Sequence, residues 1–148
     1  PCPLASLESI CGRRAFRPFL DAYASDVAII DVIWNGFLES IKIAAMAEAV
    51  SIGVAPHNPL GPIAGVAALH FAVSTPNHII QEEMVGAVPW YFDVVKGPIR
   101  MIDGHWQVPE APGLGIEVDE KICAAHPFAP EIYHTQNAIM DDGTIVDW

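Results

Sequence analysis

Positive charge is what this sequence has least of. Seven lysines and arginines stand against eighteen aspartates and glutamates in 148 residues, a formal net charge of −11. A protein that follows a phosphate backbone needs clustered cations, and the only cluster is Arg13, Arg14 and Arg17 on one expected helix. Nucleic acid is therefore excluded as a partner. Cysteine is also scarce: Cys2, Cys11 and Cys123 are odd in number and show no C-x-x-C spacing, so a disulfide framework is excluded and a reduced cytoplasm is the expected location. No apolar run reaches the roughly 18 residues of a membrane span, because Asp31 interrupts the run from Val27, and Pro62 and His70 punctuate the next. No membrane partner is expected. A basic-then-apolar leader is missing, and the sequence starts at Pro1 rather than Met, which suggests a piece of something longer. There is no low-complexity segment or linker. His70, His78, His105, His126 and His134 lack metal-ligand spacing and are expected to be structural or surface residues.

What is present is apolar material. With 52% hydrophobic and 17% charged residues, the chain has the composition and length of one globular domain. Pro3 to Glu8 reads as a short strand, and Arg13 to Ala24 as a helix with Phe16, Phe19, Leu20 and Tyr23 at helical spacing. Val27 to Ile30 is a continuous apolar run, as for a strand covered on both faces, and it ends at Asp31. Asn35-Gly36 predicts a turn. A helix follows to about Val50, with Leu38, Ile41, Ala45 and Ala49 as its apolar face. Ser51 to Ala55 predicts a buried strand, Pro62 to Val73 a tightly packed small-residue helix, 74–77 a turn, and His78 to Gln81 another short strand. Beyond that, Val88 to Tyr91 reads as a loop and Ile99 to Val108 as a hairpin around Asp103-Gly104. Pro109 to Gly115 is a turn-rich crossing, Glu117 to Ala125 a short helix, and Asp141-Asp142-Gly143 a turn.

Strand and helix alternate through the first part of the chain, which argues for β/α units and a parallel sheet. An ionisable residue closes each of four strands: Glu8, Asp31, His57 and Glu82, separated by 23, 26 and 25 residues. In a parallel sheet these ends share one edge, and in a β/α barrel that edge carries the active site. Each residue has a bland alternative. Glu8 could be solvated, Asp31 could cap the following helix, His57 could be a structural histidine between Pro56 and Pro59, and Glu82 or Glu83 could face water. Four such accidents in phase are less expected than one shared site.

Several stretches then look familiar. LASL before Glu8, Asp31-Val-Ile-Trp-Asn-Gly36, Ala55-Pro-His57-Asn-Pro-Leu-Gly61, Ile80-Gln-Glu82 and Pro112-Gly-Leu-Gly115 resemble the mandelate racemase branch of the enolase superfamily. Within it the likeness is to galactonate-dehydratase-like acid-sugar dehydratases and to sugar-lactone cycloisomerases, and it runs from about residue 4 through the tail to Trp148. The resemblance implies an α/β fold, the C-terminal half of a (β/α) TIM-type barrel. Strands five to eight would occupy residues 1–90, and residues 91–148 would pack back toward a capping domain. It implies His57 as general base or acid beside the substrate carboxylate, Asp31 as its hydrogen-bond partner and Glu82 as a donor to the developing enediolate. Glu8 would be one carboxylate ligand of Mg²⁺, and Trp34 and Trp90 would wall the substrate, although packing is the commoner role for large aromatics.

The implied function is a Mg²⁺-dependent hydro-lyase acting on a small-molecule sugar acid, with a racemase or cycloisomerase as the alternative. Gly36-Phe37 stands where the family usually has Gly-Gly. The earlier strands, their two metal carboxylates and the lysine motif have no counterpart in these residues. The chain alone is therefore expected to bind Mg²⁺ weakly and to be inactive, completed by the missing half or by homo-oligomerisation. A non-catalytic half-barrel interaction module is the remaining reading.

Overall fold

A computed structural model describes residues 2–130 and 142–143. Its centre is a three-stranded parallel sheet in the order β1 (Ala5–Ser6), β2 (Val27–Asp31), β3 (Gly53–His57). Four helices connect and cover it: α1 (Arg13–Asp21), the single-turn α2 (Val32–Asn35) followed at once by α3 (Phe37–Ala49), and α4 (Pro62–Val73) after β3. Phe16, Leu20, Ala28, Ile30, Ile43, Val54 and Phe71 are buried between the sheet and these helices. This is the β/α alternation that the sequence led us to expect.

Local chemistry accounts for the departures. The first strand keeps only two of the expected residues because Leu7 adopts φ 96° and Glu8 enters a turn. A buried, non-glycine residue with positive φ costs on the order of 1–3 kcal/mol, so the surroundings dictate that bend. Helix α1 ends at Asp21, not Ala24, with Tyr23 at φ 50°. Asn35 closes a helical turn rather than a loop. Its side chain accepts from the Gly12 amide at 2.8 Å and donates to the Asp31 carbonyl at 2.9 Å, and Gly36, at φ 73°, supplies the left-handed residue. Strand β3 lies two residues later than expected, carrying the ladder through His57.

The expected face of α3 is the wrong one. Ser40, Ile43, Ala44 and Ala47 point into the core, while Leu38 is 75% exposed and Ile41, Ala45 and Ala49 are exposed too. Both faces carry apolar side chains, so periodicity alone offered two solutions; the contacts with α1 and α4 chose between them. Helix α4 is buried nearly all round, from Pro62 through Gly65 to Ala72, which explains its uniformly small residues.

The expected strand at 78–81 is not a full ladder strand. It makes a single parallel bridge, Val54 to His78. Even so, the segment runs beside β3, with hydrogen bonds from the Val54 amide to the Asn77 carbonyl (2.9 Å), Ile79 to Val54 (3.0 Å) and Glu82 to Pro56 (3.2 Å).

Beyond it, β4 (Val95–Lys96) pairs antiparallel with β7 (Glu117–Val118), and β5 (Met101–Ile102) with β6 (His105–Trp106). The second pair is the expected hairpin, turning through Asp103 and Gly104, both at positive φ as a type I′ turn requires. The expected helix at 117–125 is shorter. Glu117–Val118 is strand, Asp119 is the N-cap, and α5 covers Glu120–Ala125. Asp142 and Gly143 lie in a turn and bend, as expected there; His134, Asp141 and the tail match to Trp148 lie outside the described residues.

Candidate active site

The ladder between β2 and β3 sets the site. In register, Asp31 is the direct partner of His57, and neighbouring parallel strands lie about 4.8 Å apart. Their side chains therefore meet at the C-terminal end of both strands. His57 Nδ1 and Asp31 Oδ2 are 2.9 Å apart. Asp31 is 1% exposed, and its other oxygen, Oδ1, accepts from the backbone amides of Ile33 and Trp34, each at 2.8 Å. One carboxylate thus caps α2 and orients the imidazole. An ionised carboxylate only accepts, so the proton on this contact is carried by Nδ1. The other ring nitrogen, Nε2, lies 3.7 Å from Glu82 Oε2, beyond hydrogen-bond range. Its lone pair is free to take a proton.

Glu82 arrives from the segment beside β3. Its amide is held by the Pro56 carbonyl and its Oε2 accepts from the Asn58 backbone amide at 3.0 Å, leaving the side chain 46% exposed on the rim. Glu83 points the other way. It accepts from Asn58 Nδ2 (2.7 Å), Gln81 Nε2 (3.2 Å) and the Tyr91 hydroxyl. Burial pushes the Glu83 carboxyl above the usual carboxylate range despite those three donors, and burial beside Glu83 likewise raises the Tyr91 phenol.

Asp31, His57 and Glu82 are therefore brought together. Glu8 is not joined to them by an ion pair. It sits half-buried in the turn after β1, at the same edge of the sheet. Trp34 is 58% exposed, and it is its backbone that touches the site, by donating to Asp31. Trp90 is half-buried and stacked on His126, with ring centroids 4.3 Å apart. His70 Nε2 contacts the Leu114 carbonyl at 3.1 Å, and His105 Nδ1 the Asp103 carbonyl at 2.8 Å, both structural contacts as expected. Burial lowers the proton affinity of His78.

Sequence reasoning missed Asn58 and Tyr91 and left Glu83 as a candidate solvated residue. The available signal was Asn58 itself: an Asx residue ahead of Pro59 folds back on its own chain, and here its Oδ1 accepts from Leu60 at 3.3 Å.

Magnesium fits the described residues poorly. Among them no three His, Cys, Asp or Glu side chains form a group able to hold a metal, and Glu8 offers one carboxylate to an ion that demands octahedral oxygen coordination. They do not by themselves make a magnesium site. The titratable side chains that converge at this edge are His57, Asp31 and Glu82.

Residues 1–122 match the model of the enolase C-terminal domain-like family. The chain belongs to that family. Among similar enolase-type proteins, D-galactonate dehydratase of Xanthomonas axonopodis pv. citri is 35% identical over 153 residues, covering 99% of this chain and 40% of that protein. A D-galactonate dehydratase family member of Streptomyces bingchenggensis is 38% identical over 109 residues, covering 72% of this chain and 26% of its own length. The chain thus spans about 40% of the length of the first of these. Among solved structures, a mandelate racemase/muconate lactonizing enzyme from Sulfitobacter sp. superposes with a TM-score of 0.82 at 35% identity, covering 88% of this chain and 33% of that one. A Burkholderia xenovorans LB400 protein bound to magnesium and fumarate has a TM-score of 0.80 at 40% identity, covering 84% and 31%. No helix among the described residues is long and apolar enough to cross a membrane.

Proposed function

We propose that this chain supplies the general acid–base side of an enolase-type site that dehydrates a sugar acid. The observation that carries the reading is the histidine held at Nδ1 by buried Asp31, 2.9 Å away, with Nε2 uncommitted beside Glu82. In this reaction Nε2 takes the proton from the carbon next to the substrate carboxylate. The electron pair of that C–H bond becomes the double bond of an enediolate. The enediolate expels the β-hydroxyl with the help of a general acid, and the enol product tautomerises to a 2-keto-3-deoxy sugar acid. Glu82 acts here through a carboxyl proton, donated in a hydrogen bond to the substrate carboxylate as its charge grows, which lowers the barrier only if the contact strengthens in the transition state. A positioned base of this kind contributes about 10²–10⁴ in rate.

The dehydratase relatives support the choice of reaction. The match to a mandelate racemase/muconate lactonizing enzyme supports a second reading, racemisation or cycloisomerisation through the same proton abstraction. Glu8 would serve a magnesium ion only with ligands from outside the described residues, and Trp34 and Trp90 would flank the sugar acid. The test is a screen of the native protein, with Mg²⁺ present, against a panel of sugar acids. Formation of 2-keto-3-deoxy acids supports dehydration. Inversion at the α-carbon without dehydration replaces it with the second reading.

A further inference from the structure

Two successive carboxylates in an extended run point to opposite sides, and only Glu82 reaches the rim. Glu83 turns inward, where it is half-buried against α4 and the chain that follows. We propose that Glu83 is a positioning residue: by gripping the Asn58 side chain it holds the Asn58 backbone amide against the Glu82 carboxylate, and so fixes Glu82 relative to His57. The proposal rests on the acid–base reading above.

The links are continuous. Asn58 is 1% exposed, and its side chain donates from Nδ2 to Glu83 Oε1 at 2.7 Å. Its main-chain amide donates to Glu82 Oε2 at 3.0 Å, and that same oxygen lies 3.7 Å from His57 Nε2. Gln81, two residues back on the same run, and Tyr91, from the chain that follows, also donate to the Glu83 carboxylate, so three donors converge on it. Helix α4 is shaped to admit it. A Cβ on Gly65 would lie 2.5 Å from Glu83 Oε2 and 3.0 Å from Asn58 Nδ2, so only glycine leaves the carboxylate its place.

A half-buried carboxylate is a costly way to fill space, since apolar side chains of similar volume often serve stability as well or better. What an acceptor-only group offers instead is a fixed anchor for donors on separate segments. Glu82 itself is exposed on the rim, and among the described residues the Asn58 amide is the hydrogen-bond donor to its carboxylate, with His57 Nε2 3.7 Å away. A small displacement there is expected to matter, because misplacing a catalytic group by about 1 Å can cost on the order of 10²-fold in rate.

The experiment compares the native protein with Glu83→Ala, Glu83→Gln, Asn58→Ser and the Glu83→Ala/Asn58→Ser double variant, measuring kcat, KM and hydrogen exchange at the Asn58 amide. Glu83→Ala is expected to lower kcat by about 10–100-fold with a smaller change in KM, and to expose the Asn58 amide to exchange. Glu83→Gln keeps an oxygen for Asn58 and is expected to restore both. Asn58→Ser severs the same link from the other side, which covers the case in which Glu83→Ala does not fold. The double variant is expected to be no worse than the poorer single one. Unchanged kcat together with an unchanged, protected Asn58 amide in either single variant overturns the proposal. If the native protein turns over no sugar acid, the functional reading fails, while the exchange measurement still decides whether Glu83 holds the Asn58 amide.

Discussion

Replacing Asp31 by Asn tests the histidine arrangement with a change of one atom. Asp31 is buried and already uses both oxygens, Oδ1 for the amides of Ile33 and Trp34 and Oδ2 for His57 Nδ1. If the Asn carbonyl oxygen keeps the α2 cap, its NH₂ must face Nδ1. The imidazole then presents a lone pair at Nδ1 and carries its proton on Nε2. The nitrogen that has to accept a proton is thereby occupied. Turnover is expected to fall by about 10²–10⁴, most of what a positioned base contributes, with KM changing much less. Stability falls modestly. A hydrogen bond to a charged group, worth about 1.5–3 kcal/mol, gives way to a neutral one worth about 0.5–1.5, so a net loss of about 1–2 kcal/mol is expected in urea unfolding. Asp31→Ala additionally removes the cap, for about 1 kcal/mol more. An Asp31→Asn variant that folds with this modest loss and keeps wild-type kcat refutes the tautomer argument.

Other perturbations follow from the same contacts. Ile43→Ala on α3 deletes a fully buried side chain and is expected to cost about 2–5 kcal/mol, whereas Leu38→Ala on the exposed face should stay within about 0.5; equal losses in urea unfolding would reverse the assigned face of α3. Because burial raises the Glu83 carboxyl, the folded protein holds that proton more tightly than the unfolded chain. This group's contribution to stability therefore declines as pH rises above the usual carboxylate range. Glu83→Gln should remove that decline, read as a wild-type-minus-variant stability difference that shifts against the wild type as pH rises above about 4.5; a difference independent of pH contradicts it. Among the described residues β1 pairs only with β2, and the 78–82 segment only with β3, leaving Ile79 and Ile80 exposed at an open edge. Such edges pair with other chains, so this 148-residue chain on its own is expected to self-associate, and sedimentation showing a stable monomer would contradict that.

How far the sequence carried depends on the kind of signal. Parallel pairing was readable because Val27 to Ile30 and the run before His57 are continuous apolar stretches ending in polar residues. The near-equal spacing of the strand ends pointed to one edge for Asp31, His57 and Glu82, and register made two of them direct partners. The face of α3 was not readable, because Leu38 and Ile41 are as apolar as Ile43 and Ala44. Only the packing of α1 and α4 distinguishes them. Nor was the Glu83 network, since it joins residues 58, 65, 81, 83 and 91 through contacts that no local pattern encodes. The Glu117–Val118 strand was lost inside an expected helix because its partner, Val95–Lys96, lies more than twenty residues upstream.

The central claim is that His57 Nε2 removes the hydrogen next to a carboxylate. The most direct measurement incubates the native protein and its His57→Asn variant with a sugar acid in D₂O and follows the α-hydrogen by NMR. Dehydration and racemisation both remove that signal, so the readout does not depend on which reaction follows. We expect the signal to disappear with the native protein and to persist with the variant, whose fold remains intact by circular dichroism. Loss of the α-hydrogen at the same rate in both would contradict the assignment of His57 as the base.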